Sequence, residues 1–160
     1  MSFSKCHNWD QSTRDLLVLS GWYPNRDVWD KLEIPPQPSV FPEAKRILSE
    51  FGNLVLEHRQ DDARVDLRPT LAHDVLDDLR AYSQLVGSPL FPLGVADGCD
   101  YMYLIVDERG YVYTLTDQLE PFSSSFDKAI AYLVRGAMNR RAWEEDLKSA
   151  NLLGKVWKLS

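Results

Sequence analysis

A set of short phrases in a fixed order constrains this chain more than any property averaged along it. Gly21-Trp22-Tyr23-Pro24-Asn25-Arg26 closes a first helix, and Phe41-Pro42-Glu43-Ala44 opens a second. That second helix ends in Glu50-Phe51-Gly52-Asn53-Leu54, and far downstream comes Asp107-Glu108-Arg109-Gly110-Tyr111-Val112-Tyr113, followed by a helix from Phe126 to Gly136. These phrases fix where the chain turns and packs. Gly21 and Gly52 stop helices, where a residue without Cβ turns the chain most readily. Pro24 presets φ in a turn that Asn25 completes at positive φ. Pro42 sits in a helical first turn, where its missing N–H is not needed.

Between these anchors the periodicities predict an α+β domain. Ser12 with Asp15 reads as a capped helix start, with Leu16, Leu17 and Leu19 as its buried face. Ala44, Ile47, Leu48 and Phe51 form one apolar stripe at helical spacing. Leu54 to Arg59 and Val65 to Leu67 alternate as half-buried strands about the turn Gln60-Asp61-Asp62. Leu71, Val75, Leu76, Leu79 and Tyr82 suit a helix running from Thr70 to Gly87. Pro92 to Val95, Tyr101 to Val106 and Tyr111 to Leu115 add sheet, since aromatic and β-branched residues fit a pleated surface. Ser124 with Asp127 starts the helix of Phe126, Ile130, Leu133 and Val134, and Asn139 caps a last helix bearing Trp143 and Leu147. Pro35, Pro36 and Pro38 make 34–38 an extended connector. The expectation is a single domain over residues 1–160: N-terminal helices, a central, mostly antiparallel sheet and C-terminal helices.

Composition narrows the function. The chain carries a net charge of −6 and a pI near 5.0, which disfavours direct binding to nucleic acid phosphates and suits a basic partner. No apolar run approaches the roughly 18 residues of a membrane span, and the first residues lack a secretory apolar core. Two cysteines far apart fit a reducing cytosol. His7, His58 and His73 are dispersed and join no cysteine cluster, so no metal site is expected, and Asp97-Gly98-Cys99-Asp100 lacks the spacing of a calcium loop. There is no nucleophile elbow, Walker loop or dinucleotide fingerprint. No cofactor and no catalytic residue are expected.

The phrases, taken together, resemble the SUKH superfamily and within it the third subgroup, a set of bacterial immunity proteins. The resemblance runs from about Gly21 to Gly136 and leaves 137–160 as a C-terminal helical extension. It rests on Trp22, Tyr23, Pro24, Arg26, Phe51, Gly52 and Gly110, together with Pro42, Ala44, Leu48, Glu50, Leu54, Pro92, Leu93, Gly94, Asp107, Tyr111, Val112 and Tyr113. Where the subgroup commonly has a second glycine after Phe-Gly, this chain has Asn53, the next most tolerant residue for such backbone angles. The resemblance implies a non-enzymatic, cytoplasmic binding protein that occupies a cognate secreted polymorphic toxin, of the kind used in contact-dependent inhibition. A nuclease or other nucleic-acid-acting toxin would supply the basic partner, and a monomer is expected. Two other readings stand beside it: an intracellular scaffold or regulator, and a small-molecule-binding or enzymatic domain on the same sheet. The expected partner surface is a set of acidic loop residues, Asp61, Asp62, Asp97, Asp100, Asp107 and Glu108, since turns carry side chains to solvent. The structural alternative is that turn aspartates bond the local backbone. Trp22 and Arg26 are assigned to architecture.

Overall fold

The computed structural model describes residue 7 and residues 9–58, 63–97, 101–135 and 140–159. Its elements run α1 (Gln11–Leu19), a 3-10 turn (Trp29–Lys31), α2 (Pro42–Phe51), β1 (Val55–His58), β2 (Ala63–Asp66), a 3-10 segment (Pro69–Val75), α3 (Leu76–Val86), β3 (Leu90–Asp97), β4 (Tyr101–Asp107), β5 (Val112–Leu115), β6 (Leu119–Ser123), α4 (Phe126–Arg135) and α5 (Arg140–Ser149). The six strands form one sheet in sequence order, every neighbouring pair antiparallel. This is the α+β arrangement expected, with helices before and after a central sheet.

Local chemistry sets the element ends. Asp10, not Ser12, caps α1, its carboxylate accepting the Thr13 N–H at 3.0 Å. Ser125 rather than Ser124 accepts at the start of α4, from Lys128 N–H at 3.3 Å. The single helix expected from Thr70 is two pieces, because Ala72 leaves helical geometry and only Leu76–Val86 is α. Gly87 ends it in the left-handed region at φ 79°. Asn139 and Gly136 lie outside the described residues.

The sheet is covered on both sides. On one face Leu17, Ile47, Leu48, Phe51 and Ile130 pack over Leu56, Val65, Phe91, Leu104 and Val106. On the other, Leu79 and Tyr82 of α3 pack with Leu90, Ile105, Tyr113, Leu115 and Leu119, and Trp157 joins them. That double cover is why β5 is buried at every position rather than alternating. In α1 only one of the three expected leucines is fully buried: Leu17 is at 0%, Leu16 packs partly and Leu19 is exposed at 78%. Close approach demands glycine at Gly94, where a Cβ would sit 2.0 Å from the Asp66 carbonyl oxygen, at a bulge between β3 and β4.

The two outer strands differ. β6 was not anticipated from Leu119-Glu120-Pro121-Phe122-Ser123, and its outer side is bridged by Trp157, whose N–H and carbonyl pair with Leu119 at 3.0 and 2.9 Å. Trp143 donates to the Phe122 carbonyl at 2.7 Å, and Leu147 and Leu152 are buried. Asp146 ties α5 to α4 through Ser124 and through Lys128 at 2.9 Å. The C-terminal segment therefore completes the core rather than trailing from it, and it shields an edge that would otherwise invite pairing.

Candidate partner-binding surface

An up-and-down meander sends alternate connections to opposite ends of the sheet, so the expected acidic residues do not share one surface. β3 ends at Asp97 on the end where β1 and β2 meet through His58 and Ala63. The hairpin carrying Asp107 and Glu108 lies at the far end of β4. Seven residues at ~3.3 Å each separate these ends by roughly 20 Å. Asp61, Asp62 and Asp100 lie outside the described residues. Asp97 and Glu108 are both exposed.

Asp107 differs from the expectation of a solvent-facing carboxylate. It is fully buried. One oxygen accepts the backbone N–H of Arg109 at 2.9 Å and of Tyr111 at 3.0 Å. The other accepts from the Arg109 guanidinium at 2.8 and 3.1 Å and from the Tyr113 hydroxyl at 2.8 Å. Burial, and then the neighbouring Asp107 charge, push the Tyr113 phenol well above its ordinary pKa, so it remains a donor. The carboxylate thus builds the β4–β5 hairpin, and the structural reading of a turn aspartate holds here. Gly110 allows the turn at φ 94°, with Glu43 of α2 packed 3.2 Å from where a Cβ would stand.

At the opposite end the register aligns Glu57, Arg64, Asp97 and Tyr101 across β1, β2, β3 and β4. Residues directly opposite in a ladder share a face. Glu57 and Arg64 approach to 3.8 Å. In the next row the buried Asp66 carboxylate takes a two-pronged bond from Arg68 at 2.6 and 2.8 Å, with Arg64 at 3.5 Å. Asp97 has no hydrogen bond or ion pair among the described residues. Beside it Tyr101 is 48% exposed, its ring held edge-on against Tyr103 at 5.4 Å. Its phenol is raised above the ordinary value by burial, then by Tyr103, Asp97, Asp66 and Asp74, so these carboxylates bear on the ring. Asp66 is already neutralised by arginine. An exposed aromatic face beside an exposed carboxylate can accept a guanidinium or ammonium group by combining a cation–π contact with an ion pair.

The family model described as SUKH-3 immunity protein matches residues 9–136. The chain belongs to that family. The SUKH-3 match begins at Trp9, so it takes in α1, which the residue phrases alone did not reach, and it stops before α5. Neither a curated protein nor a solved structure matches the chain.

Within the SUKH-3 span the phrase around Trp22 holds α1 to α2. Trp22 is 4% exposed and donates through Nε1 to Glu50 at 2.9 Å, while Arg14 lies over its ring at 5.2 Å. Arg26 spans the end of α2, donating to the Glu50 carbonyl at 2.6 Å and the Gly52 carbonyl at 2.8 Å. A planar fork suits two adjacent orphan carbonyls. Tyr23 does not fold back with Trp22 and is 53% exposed. At Gly52 a Cβ would fall 2.5 Å from the Leu48 carbonyl oxygen, and Asn53 takes positive φ, 66°. His7, read from sequence as an isolated histidine, is buried between carboxylates, bonded to Glu50 at 2.6 Å and Asp127 at 2.8 Å and stacked on Trp9 at 4.0 Å. Among the described residues no His, Cys, Asp and Glu group is placed to hold a metal ion, and no helix is long and apolar enough to cross a membrane.

Proposed function

We propose that this SUKH-3 protein acts by stoichiometric binding of a cognate polymorphic toxin inside the cell that makes it, and that the corner formed by Asp97, Tyr101 and Glu57 receives basic side chains of that toxin. The observation that carries this reading is the Asp97 carboxylate, without a hydrogen bond or ion pair among the described residues, beside the exposed Tyr101 ring, in a chain whose net charge is −6. A nucleic-acid-acting toxin presents a basic surface to its substrate, and an acidic binder competes for it while steering association. Glu108 belongs to the other end of the sheet and is the secondary candidate. Asp61, Asp62 and Asp100 remain proposed contributors through the connections beside Asp97. Family membership supports an immunity role, and binding rather than catalysis accounts for it.

The test compares Asp97→Asn, Tyr101→Ala and Glu108→Gln in binding to the purified toxin domain at low and high salt. Tyr101→Ala should weaken binding by about 2 kcal/mol, as buried aromatic anchors do. Asp97→Asn should slow association and flatten its salt dependence. Glu108→Gln should leave both nearly unchanged. Parental behaviour of the first two with loss in the third would move the recognition surface to the hairpin end.

A further inference from the structure

Trp157 closes the outside of β6, whereas among the described residues no strand, bridge or main-chain hydrogen bond covers the outside of β1. The register shows which groups β1 presents there. Leu67 donates to the Leu54 carbonyl at 2.9 Å, and these two residues stand one step before the opposed pair Val55 and Asp66. Antiparallel pairs alternate, so Leu56 bonds inward to Val65 while Val55 and Glu57 turn their N–H and C=O groups outward. Such an edge invites another strand. An apolar rim adjoins it. α1 ends beside the start of β1, where a Cβ on Gly21 would lie 3.6 Å from Leu54, and Val18, Leu19 and Tyr23 around that end are 53%, 78% and 53% exposed.

We propose that β1 pairs antiparallel with β1 of a second copy of this chain, about a two-fold axis through Leu56, joining the two sheets into one. Self-complementarity sets the occupant. With Leu56 on the axis, Val55 faces Glu57 of the second copy and Glu57 faces its Val55, so outward groups meet outward groups at both pairs. On the core face the apolar row of Val65 and Leu56 runs on into Leu56 and Val65 of the second copy. Centring the axis on Glu57 would set like carboxylates opposite each other. Centring it on Val55 would set Glu57 against Asn53, whose φ of 66° leaves the strand. The Leu56 register has neither fault. A strand this short buries little area, so the dimer is weak and the monomer prevails when dilute. This pairing does not depend on toxin recognition.

The test is sedimentation velocity of the full chain, alone, from about 10 to about 500 µM, a range in which a small interface associates. The mass should rise with concentration toward that of a dimer. Val55→Glu sets a carboxylate opposite Glu57 of the second copy and should weaken association about tenfold over the two symmetric pairs, while Val55→Lys should strengthen it by a similar factor. Leu85→Lys, at a 51% exposed position on α3, changes the net charge as Val55→Lys does and should leave association unchanged. Opposite signs at Val55 test the register itself, and Val55→Lys carries that test alone if Val55→Glu does not fold. A monomer at every concentration, a dimer indifferent to Val55→Lys, or both Val55 variants shifting association the same way would overturn the proposal.

Discussion

His7 offers the sharpest test of how this fold is held together. Its side chain is 3% exposed, with a carboxylate on each ring nitrogen, and it packs against Trp9, Trp22 and Phe51. Burial by itself would lower its pKa. The hydrogen bonds to Asp127 and Glu50, with their charges, outweigh burial and raise the imidazole from 6.5 to about 9. Glu50 moves the other way: burial would raise it, but the bonds from His7 and Trp22 hold it below the ordinary carboxylate range. A rise from 6.5 to about 9 corresponds to ~3 kcal/mol, at about 1.4 kcal/mol for each factor of ten. Because the folded-state pKa lies above the unfolded one, that stability is fully present below about pH 6.5 and is lost as pH rises through about 9. Denaturant unfolding of the parent and of His7→Gln, measured from about pH 6 to about pH 10, separates this effect from all other titrations. The parent should lose ~3 kcal/mol more than the variant across that window, and the two curves should converge at the alkaline end. Parallel curves would refute a histidinium held between Glu50 and Asp127.

Three further outcomes follow from burial and bonding. Trp22→Ala should cost on the order of 3–5 kcal/mol in denaturant unfolding, and a parental melting temperature with lost toxin binding would make Trp22 an interface anchor instead. Asp107→Ala should destabilise by about 3 kcal/mol, because it strands the Tyr113 hydroxyl and two hairpin N–H groups, and amide exchange should rise first at Arg109 and Tyr111. Gly94→Ala should cost at least ~2 kcal/mol, since its Cβ would collide with the Asp66 carbonyl and force β2 from β3, read as a fall in the unfolding midpoint.

Features decided by one or two neighbouring residues were legible in the sequence. Pro42 begins α2, Gly87 ends α3 in the left-handed region, and Asn25 and Asn53 both take positive φ, 63° and 66°. The apolar stripe from Ala44 to Phe51 is buried as its spacing required. What was hidden depends on contacts distant in sequence. Pro121 and Glu120 disguise β6, which is tolerated as a strand because it lies last in the sheet and is bridged by Trp157. Leu19 fits the α1 pattern but faces solvent, since which leucines of a short helix are buried depends on what packs against it. The alignment of Glu57, Arg64, Asp97 and Tyr101 exists only through three strand registers, which no local pattern specifies. Asp107 looked like Glu108 in sequence, and only the fold shows Tyr113 and Arg109 closing over it.

Neutralisation by direct binding is tested most directly by co-expression with a cognate toxin domain. Growth should be restored, and the two chains should co-purify as a stoichiometric complex that weakens as salt rises. Growth restored without any complex, or a complex that leaves the toxin fully active, would contradict it.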